Sequence, residues 1–279
     1  MITNHHAQLD DGRRLNYAVD GDGDPTVVFE SGLGASRSCW AAVQAAITPR
    51  LRAVSYDRAG LGASDPDPLP RTLDRAAGDL RALLNHLDGT TYILVGHSWG
   101  APIVRQVAAT NDSVVGLVLV DPADEDCEVY YSRWAIAPQR AMAFLLPLAA
   151  HLGILRWGLG RLGANLPEPA RHDLIRQDGS PQSARAFRAE FQSVVSDLQD
   201  LRRHPPELGT RPVTIISGGR TTRFGSAARA SLVAAHQRRA GGLAQGRHVW
   251  AKASGHMVPY SEPATVAEQI LFIVDELAS

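Results

Sequence analysis

Thr91-Tyr92-Ile93-Leu94-Val95-Gly96-His97-Ser98-Trp99-Gly100-Ala101-Pro102-Ile103-Val104 decides how this chain folds. Its first five residues are apolar and rich in β-formers, the composition of a buried strand. From Ala101 to Ala109 the apolar residues recur at helical spacing, and Pro102 falls in the first turn, where a missing N–H costs nothing. Between them, Gly96 to Gly100 spell G-x-S-x-G. A strand, a sharp turn and a helix with serine at the apex form a nucleophile elbow. The pattern alone is weak in a chain with 25 glycines, and the strand–turn–helix context is what makes Ser98 a candidate nucleophile. Such a serine needs a general base, an oxyanion hole and an acid to orient the base.

Ten histidines compete for the role of base. His5 and His6 lie in the N-terminal segment, His86 ends an amphipathic helix, and His97 sits inside the elbow, where a structural role is expected. His151, His172 and His204 fall in an irregular middle region, and His236 and His248 in a helix and a strand. His256 differs, because Ser254-Gly255-His256-Met257-Val258-Pro259 is a loop between the alternating Arg247–Ala253 strand and a terminal helix over Pro263–Leu277. A loop histidine at the end of a last strand can reach a serine on a neighbouring strand, so His256 is the expected base.

Two backbone N–H groups should face the developing oxyanion. Trp99, which follows the nucleophile, supplies one, and its indole is expected to wall the pocket. The other should come from a glycine-bearing loop after an early strand. Thr26–Phe29 reads as the strand and Glu30-Ser31-Gly32-Leu33-Gly34 as the loop, with Leu33 as donor and Gly32 lining the substrate site. The plainer reading of that loop is an ordinary β-to-α connection.

The chain resembles the α/β-hydrolase superfamily, in its serine-nucleophile branch of esterases and lipases. The resemblance rests on motifs in order: Ser31-Gly32-Leu33-Gly34, then Tyr56-Asp57-Arg58-Ala59-Gly60-Leu61-Gly62-Ala63-Ser64, the elbow, the end of the Leu117–Pro122 segment, and Gly255-His256. It covers nearly the whole chain except the middle, and implies a mostly parallel sheet flanked by helices with an inserted helical cap. Two departures stand out. Relatives usually carry His-Gly at the oxyanion loop, where this chain has Ser31. The family most often places its acid after the strand read here as Arg211–Ser217, yet Gly218-Gly219-Arg220-Thr221-Thr222-Arg223-Phe224-Gly225 holds no carboxylate. Some relatives carry the acid one strand earlier, which points to Asp121, with Asp124 as second candidate. The alternative for Asp121 is a turn with Pro122 at the strand end.

Alternating strands and helices before Asp121 and after Gly209 predict an α/β core over 1–121 and 210–279, with 122–209 as the inserted cap. Asp11-Gly12 marks an opening hairpin. Ala141–Leu162 is the most apolar part of the insertion; Arg140, Pro147, His151, Arg156 and Arg161 argue against a membrane span there. One apolar face packed on the core is the simpler expectation, part of that face lining an acyl or aromatic pocket is the equal alternative, and a reversible membrane-surface contact is a minor one. Arg58 has two readings, as a group that holds cap or substrate, or as a salt-bridge partner of Asp57 or of a cap carboxylate.

A net charge of −1 argues against a nucleic-acid partner, and two cysteines, Cys39 and Cys127, exclude a disulfide scaffold. Met1–Asp10 lacks the apolar core of a signal peptide, so a cytoplasmic location is expected. No metal or cofactor is called for by the motifs, and self-association through the apolar cap stays open. The expected activity is hydrolysis of a carboxylic ester or lactone of a small, largely apolar substrate through an acyl-enzyme on Ser98. Serine there disfavours the epoxide hydrolase and dehalogenase chemistries of relatives that carry aspartate. A ligand-binding receptor, a lyase and a perhydrolase on the same fold are the competing readings.

Overall fold

Apolar side chains alternate along the strands so that both faces of one sheet are buried. Val28, Leu94, Leu117, Leu119 and Ile215 pack on one face, and Val27, Phe29, Ile93, Val95, Val118, Val120 and Ile216 on the other. Period-two side-chain direction makes a continuous apolar run serve two layers of helices at once. The computed structural model describes residues 3–221 and 225–278. Three residues of the carboxylate-free loop, Thr222, Arg223 and Phe224, lie outside the described residues, as do Met1 and Ile2 of the N-terminal segment.

The strands are β1 (Thr3–Gln8), β2 (Arg14–Asp20), β3 (Thr26–Glu30), β4 (Ala53–Tyr56), β5 (Tyr92–His97), β6 (Val114–Val120), β7 (Val213–Gly218) and β8 (Gly246–Ala251). They form one sheet in the order β1-β2-β4-β3-β5-β6-β7-β8. The β1–β2 hairpin and the β2–β4 pair are antiparallel, and every other pair is parallel. Helices α2 (Leu73–His86) and α3 (Gly100–Ala108) cover one face. Helices α1 (Ala41–Ile47), α10 (Val258–Ser261) and α11 (Pro263–Leu277) cover the other. Helix α9 (Ser226–Gly242) follows β7. β5 lies between β3 and β6, and β7 beside β6, so the loops after β3, β5, β6 and β7 emerge together at the carboxyl edge, where ligands of such sheets collect.

Between β6 and β7 the described elements are all helical: a short 3₁₀ turn, then α4 (Arg133–His151), α5 (Ile154–Leu162), α6 (Glu168–Gln177), α7 (Pro181–Phe191) and α8 (Val194–Arg203). The expectation that Ala141–Leu162 buries an apolar face is not met. On α4 only Ala143 and Ala150 are buried, and on α5 no residue is. Helix α4 packs on α7, and a small residue allows that close approach; its large apolar residues are left outside. Periodicity fixes that a helix has an apolar stripe and leaves open which way the stripe faces.

Candidate active site

Ser98 stands between β5 and α3 with φ +52°, a left-handed backbone that costs a non-glycine residue energy and is kept only where surrounding structure enforces it. The enforcement is visible. A Cβ at Gly96 would meet the Ala101 backbone at 2.7 Å, and one at Gly100 would meet the Glu30 carbonyl oxygen at 2.4 Å. Only glycine on both sides lets α3 close against β3 and β5 with the serine at the apex.

The carbonyls beside the two expected oxyanion donors are pinned. Ser98 O accepts from Ala101 N at 3.2 Å and from Ala123 N at 3.0 Å. It shares a trans peptide with Trp99 N–H, so holding the oxygen one way aims that N–H the opposite way. Gly32 O is held by Arg58 Nη2 at 2.7 Å, which aims Leu33 N–H by the same rule. Among the described residues no protein acceptor takes up either N–H. Gly32 lies close enough to the elbow that a Cβ there would be 3.3 Å from the Ser98 Cβ.

Asp121 ends β6 with φ +43° and is fully buried. Its carboxylate accepts from Gly218 N at 3.0 Å, from both terminal nitrogens of Arg229 on α9, with Nη1 at 2.6 Å, and from His256 Nδ1 at 2.6 Å. Burial pushes the carboxyl upward, but the Arg229 and His256 hydrogen bonds outweigh it and hold Asp121 well below the usual carboxylate range. The second candidate acid, Asp124, points elsewhere, into an ion pair with Arg239 at 2.6 Å. Of the two, the structure brings Asp121 to His256.

His256 and Ser98 line one cavity of about 570 Å³, together with Gly32, Leu33, Trp99, Ala123, Val129, Tyr130, Met142, Phe187, Phe191 and Leu232. Most of that wall is apolar. Nearly half of the His256 side chain is exposed, and its ring lies 4.9 Å from that of His97, tilted by 37°. His97 is buried, and its Nε2 lies 2.9 Å from the His256 carbonyl oxygen. Burial, helped by repulsion from His256, lowers its pKa to about 3, so His97 is neutral and donates from Nε2. It thus holds the backbone of the residue whose ring meets Asp121. A motif-internal histidine of this kind carries no sequence signal beyond its neighbourhood.

Arg58 is not brought to the cavity, which corrects its reading as a substrate contact. It is 1% exposed, pairs with Glu30 at 2.5 Å and Glu190 of α7 at 2.7 Å, and donates to the carbonyls of Ser31 and Gly32. Of the two ion pairs expected as the alternative, the one with a carboxylate of the 122–209 segment is seen, through Glu190, and the one with Asp57 is absent. Asp57 instead accepts from Asn16 Nδ2 at 2.9 Å and Arg37 N at 2.9 Å. Glu190 also accepts from Gly34 N at 2.9 Å, so one helix carboxylate and Arg58 together clamp the Ser31–Gly34 loop. Ser31, at the position where relatives carry histidine, donates to Ser36 O and accepts from Trp40 Nε1 at 3.1 Å. Arg229 and Glu190 are the residues that sequence reasoning did not assign, and His97 takes the structural role expected of it.

A mostly parallel sheet with helices on both faces, a strained serine at a strand–helix turn and an acid–histidine pair from the loops after β6 and β8 is α/β-hydrolase architecture. The family model for the alpha/beta hydrolase family matches residues 27–269, and the chain belongs to that family. Uncharacterized protein YqjL of Bacillus subtilis (strain 168) is 28% identical over 249 residues, 88% of this chain and 82% of that protein. Among solved structures, epoxide hydrolase CorEH superposes with a TM-score of 0.72 at 21% identity, covering 99% of this chain and 100% of that one. The enol-lactonase from Burkholderia xenovorans LB400 gives 0.69 at 21% identity, covering 97% and 100%. At these identities the solved structures show a common fold.

Proposed function

We propose that this protein is a serine hydrolase that cleaves a carboxylic ester or lactone of a small, largely apolar substrate. The reading is carried by one observation: Ser98 and His256 share a cavity, and His256 Nδ1 is bonded to the buried, ionised Asp121 at 2.6 Å. With Nδ1–H donated to Asp121, Nε2 is the free base that takes the Ser98 proton as the oxygen attacks the carbonyl carbon. Leu33 and Trp99 N–H stabilise the tetrahedral oxyanion. His256 then protonates the leaving alkoxide, and water repeats the cycle on the acyl-enzyme. No step needs a metal or cofactor.

Residues 122–209 act in this reading as the cap of a core formed by 1–121 and 210–279, supported by Val129, Tyr130, Met142, Phe187 and Phe191 in the cavity wall. An apolar wall with few polar groups suits an uncharged acyl or alkyl chain. The fold shared with an enol-lactonase fits the same chemistry by analogy. Turnover of short-chain p-nitrophenyl esters, wild type beside Ser98→Ala, tests the reading. Turnover lost in the variant, with stoichiometric labelling of wild type by an organophosphonate, is the expected result. Negligible rates in both proteins, or a serine that resists labelling, would assign the cavity to a receptor or a lyase, and equal, substantial rates would show that Ser98 is not the nucleophile.

A further inference from the structure

Helix α4 is amphipathic in the wrong direction for a core helix. Trp134, Pro138, Ala141, Leu145, Leu148 and Leu152 recur at spacings of four and three and form one stripe along its length. Every one of them is exposed, the tryptophan and leucines from Leu145 at 56% to Trp134 at 91%, while the buried Ala143 and Ala150 lie on the opposite side. Helix α5 continues the pattern after a bend of 100°, with Ile154 at 59% and Trp157 at 71% exposed. No single described helix is long and apolar enough to cross a membrane.

The charge around this face is one-sided. Between Glu128 and Glu168 the sequence has no acidic residue and four arginines, Arg133, Arg140, Arg156 and Arg161, in a chain whose net charge is −1. Helix α7, packed on α4, adds Arg188, whose guanidinium lies over the Phe144 ring at 4.7 Å, and Arg161 lies over Trp157 at 5.0 Å. Exposed leucines on a segment whose only charged residues are arginines, with tryptophan toward the ends and the acids Glu128, Glu168 and Asp173 confined to the flanking elements, match a lipid headgroup boundary, where apolar side chains enter the acyl layer and cations meet phosphate. We infer that the α4–α5 face docks the protein reversibly on an anionic lipid surface. The same helix reaches the cavity through Met142, so the docked enzyme presents its cavity wall next to the lipid.

The full-length protein, incubated with vesicles of equal parts phosphatidylglycerol and phosphatidylcholine or of phosphatidylcholine alone, tests this by co-sedimentation and tryptophan emission. The expected result is binding to the anionic vesicles with a blue shift, at least tenfold weaker on phosphatidylcholine and weakened by added salt. Leu145→Glu/Leu148→Glu should reduce anionic binding at least tenfold while ester turnover in solution is unchanged. A second variant, Arg133→Gln/Arg140→Gln, should lose the preference for anionic lipid and keep the weak binding to phosphatidylcholine. No binding to either vesicle, or equal binding to both, overturns the inference. A stable dimer that Leu145→Glu/Leu148→Glu dissociates also overturns it, by giving the stripe to a second copy of the chain.

Discussion

The strand-end site and the α4–α5 face treat the same residue types in opposite ways. At and beside the site, arginines are neutralised by fixed partners: the buried Arg58 by Glu30 and Glu190, the partly buried Arg229 by Asp121. Apolar residues there are packed on both faces of the sheet. On α4–α5 the leucines and tryptophans face outward, and no acid balances the arginines within the segment. A buried charge without its partner is heavily penalised, so the buried arginines have fixed partners and fix the loops they touch. An exposed apolar stripe contributes nothing to folding, so it is free to serve contacts outside the molecule. Rigidity at the site and an unpartnered outer face thus come from one rule, applied on two sides of the helical layer.

The sharpest test of the site half is Ser98→Ala, expected to lower kcat about a millionfold, the scale for a nucleophile acting as one unit with its base. Asp121→Asn should lower kcat about ten-thousandfold with the protein still folded, because an amide cannot hold the required histidine tautomer. Asp124→Asn, whose residue pairs with Arg239, should leave kcat within a few-fold, and a reversal of the two results would break the assignment. Arg58→Met should lower kcat roughly tenfold to a hundredfold, less than outright loss of an oxyanion donor, with KM little changed. A raised KM at constant kcat would return Arg58 to the substrate.

His97 gives the comparison a pH axis. Its folded pKa, about 3, lies below the ordinary 6.5, so below pH 6.5 the unfolded chain gains a proton that the folded chain refuses. Stability from neutral His97 is complete above pH 6.5 and falls toward pH 3, by about 1.4 kcal/mol per unit. Urea midpoints of wild type and His97→Asn should therefore converge as pH drops from 7 to 4; a constant gap would mean that His97 is not held neutral. The smallest effect belongs to the outer face. Leu145→Glu/Leu148→Glu should move Tm by no more than about 2 °C, since exposed substitutions fall within about 0.5 kcal/mol each. A drop of many degrees would show that the stripe is packed inside the protein, and the contrast between the two regions would collapse.

Sequence alone determined the features set by chain geometry over a few residues. The elbow was legible because strand period, helix period and two glycines all fall within Thr91 to Ala109, and His256 because one histidine sits in a loop after the last strand. The pairing of Asp121 with His256 was expected only through resemblance, since nothing in Val120-Asp121-Pro122 separates an acid from a strand-end turn. Tertiary structure alone decided the partners far apart in the chain. Arg229 joins Asp121 from 108 residues away, Glu190 joins Arg58 from 132, and His97 reaches the His256 carbonyl from 159. Those meetings depend on the order of strands and on which helix lies over which loop, and neither leaves a local pattern. The outward stripe of α4 is the same lesson in reverse: periodicity recorded the stripe, and only packing against α7 decided that Ala143 and Ala150 face in while Leu145 and Leu148 face out.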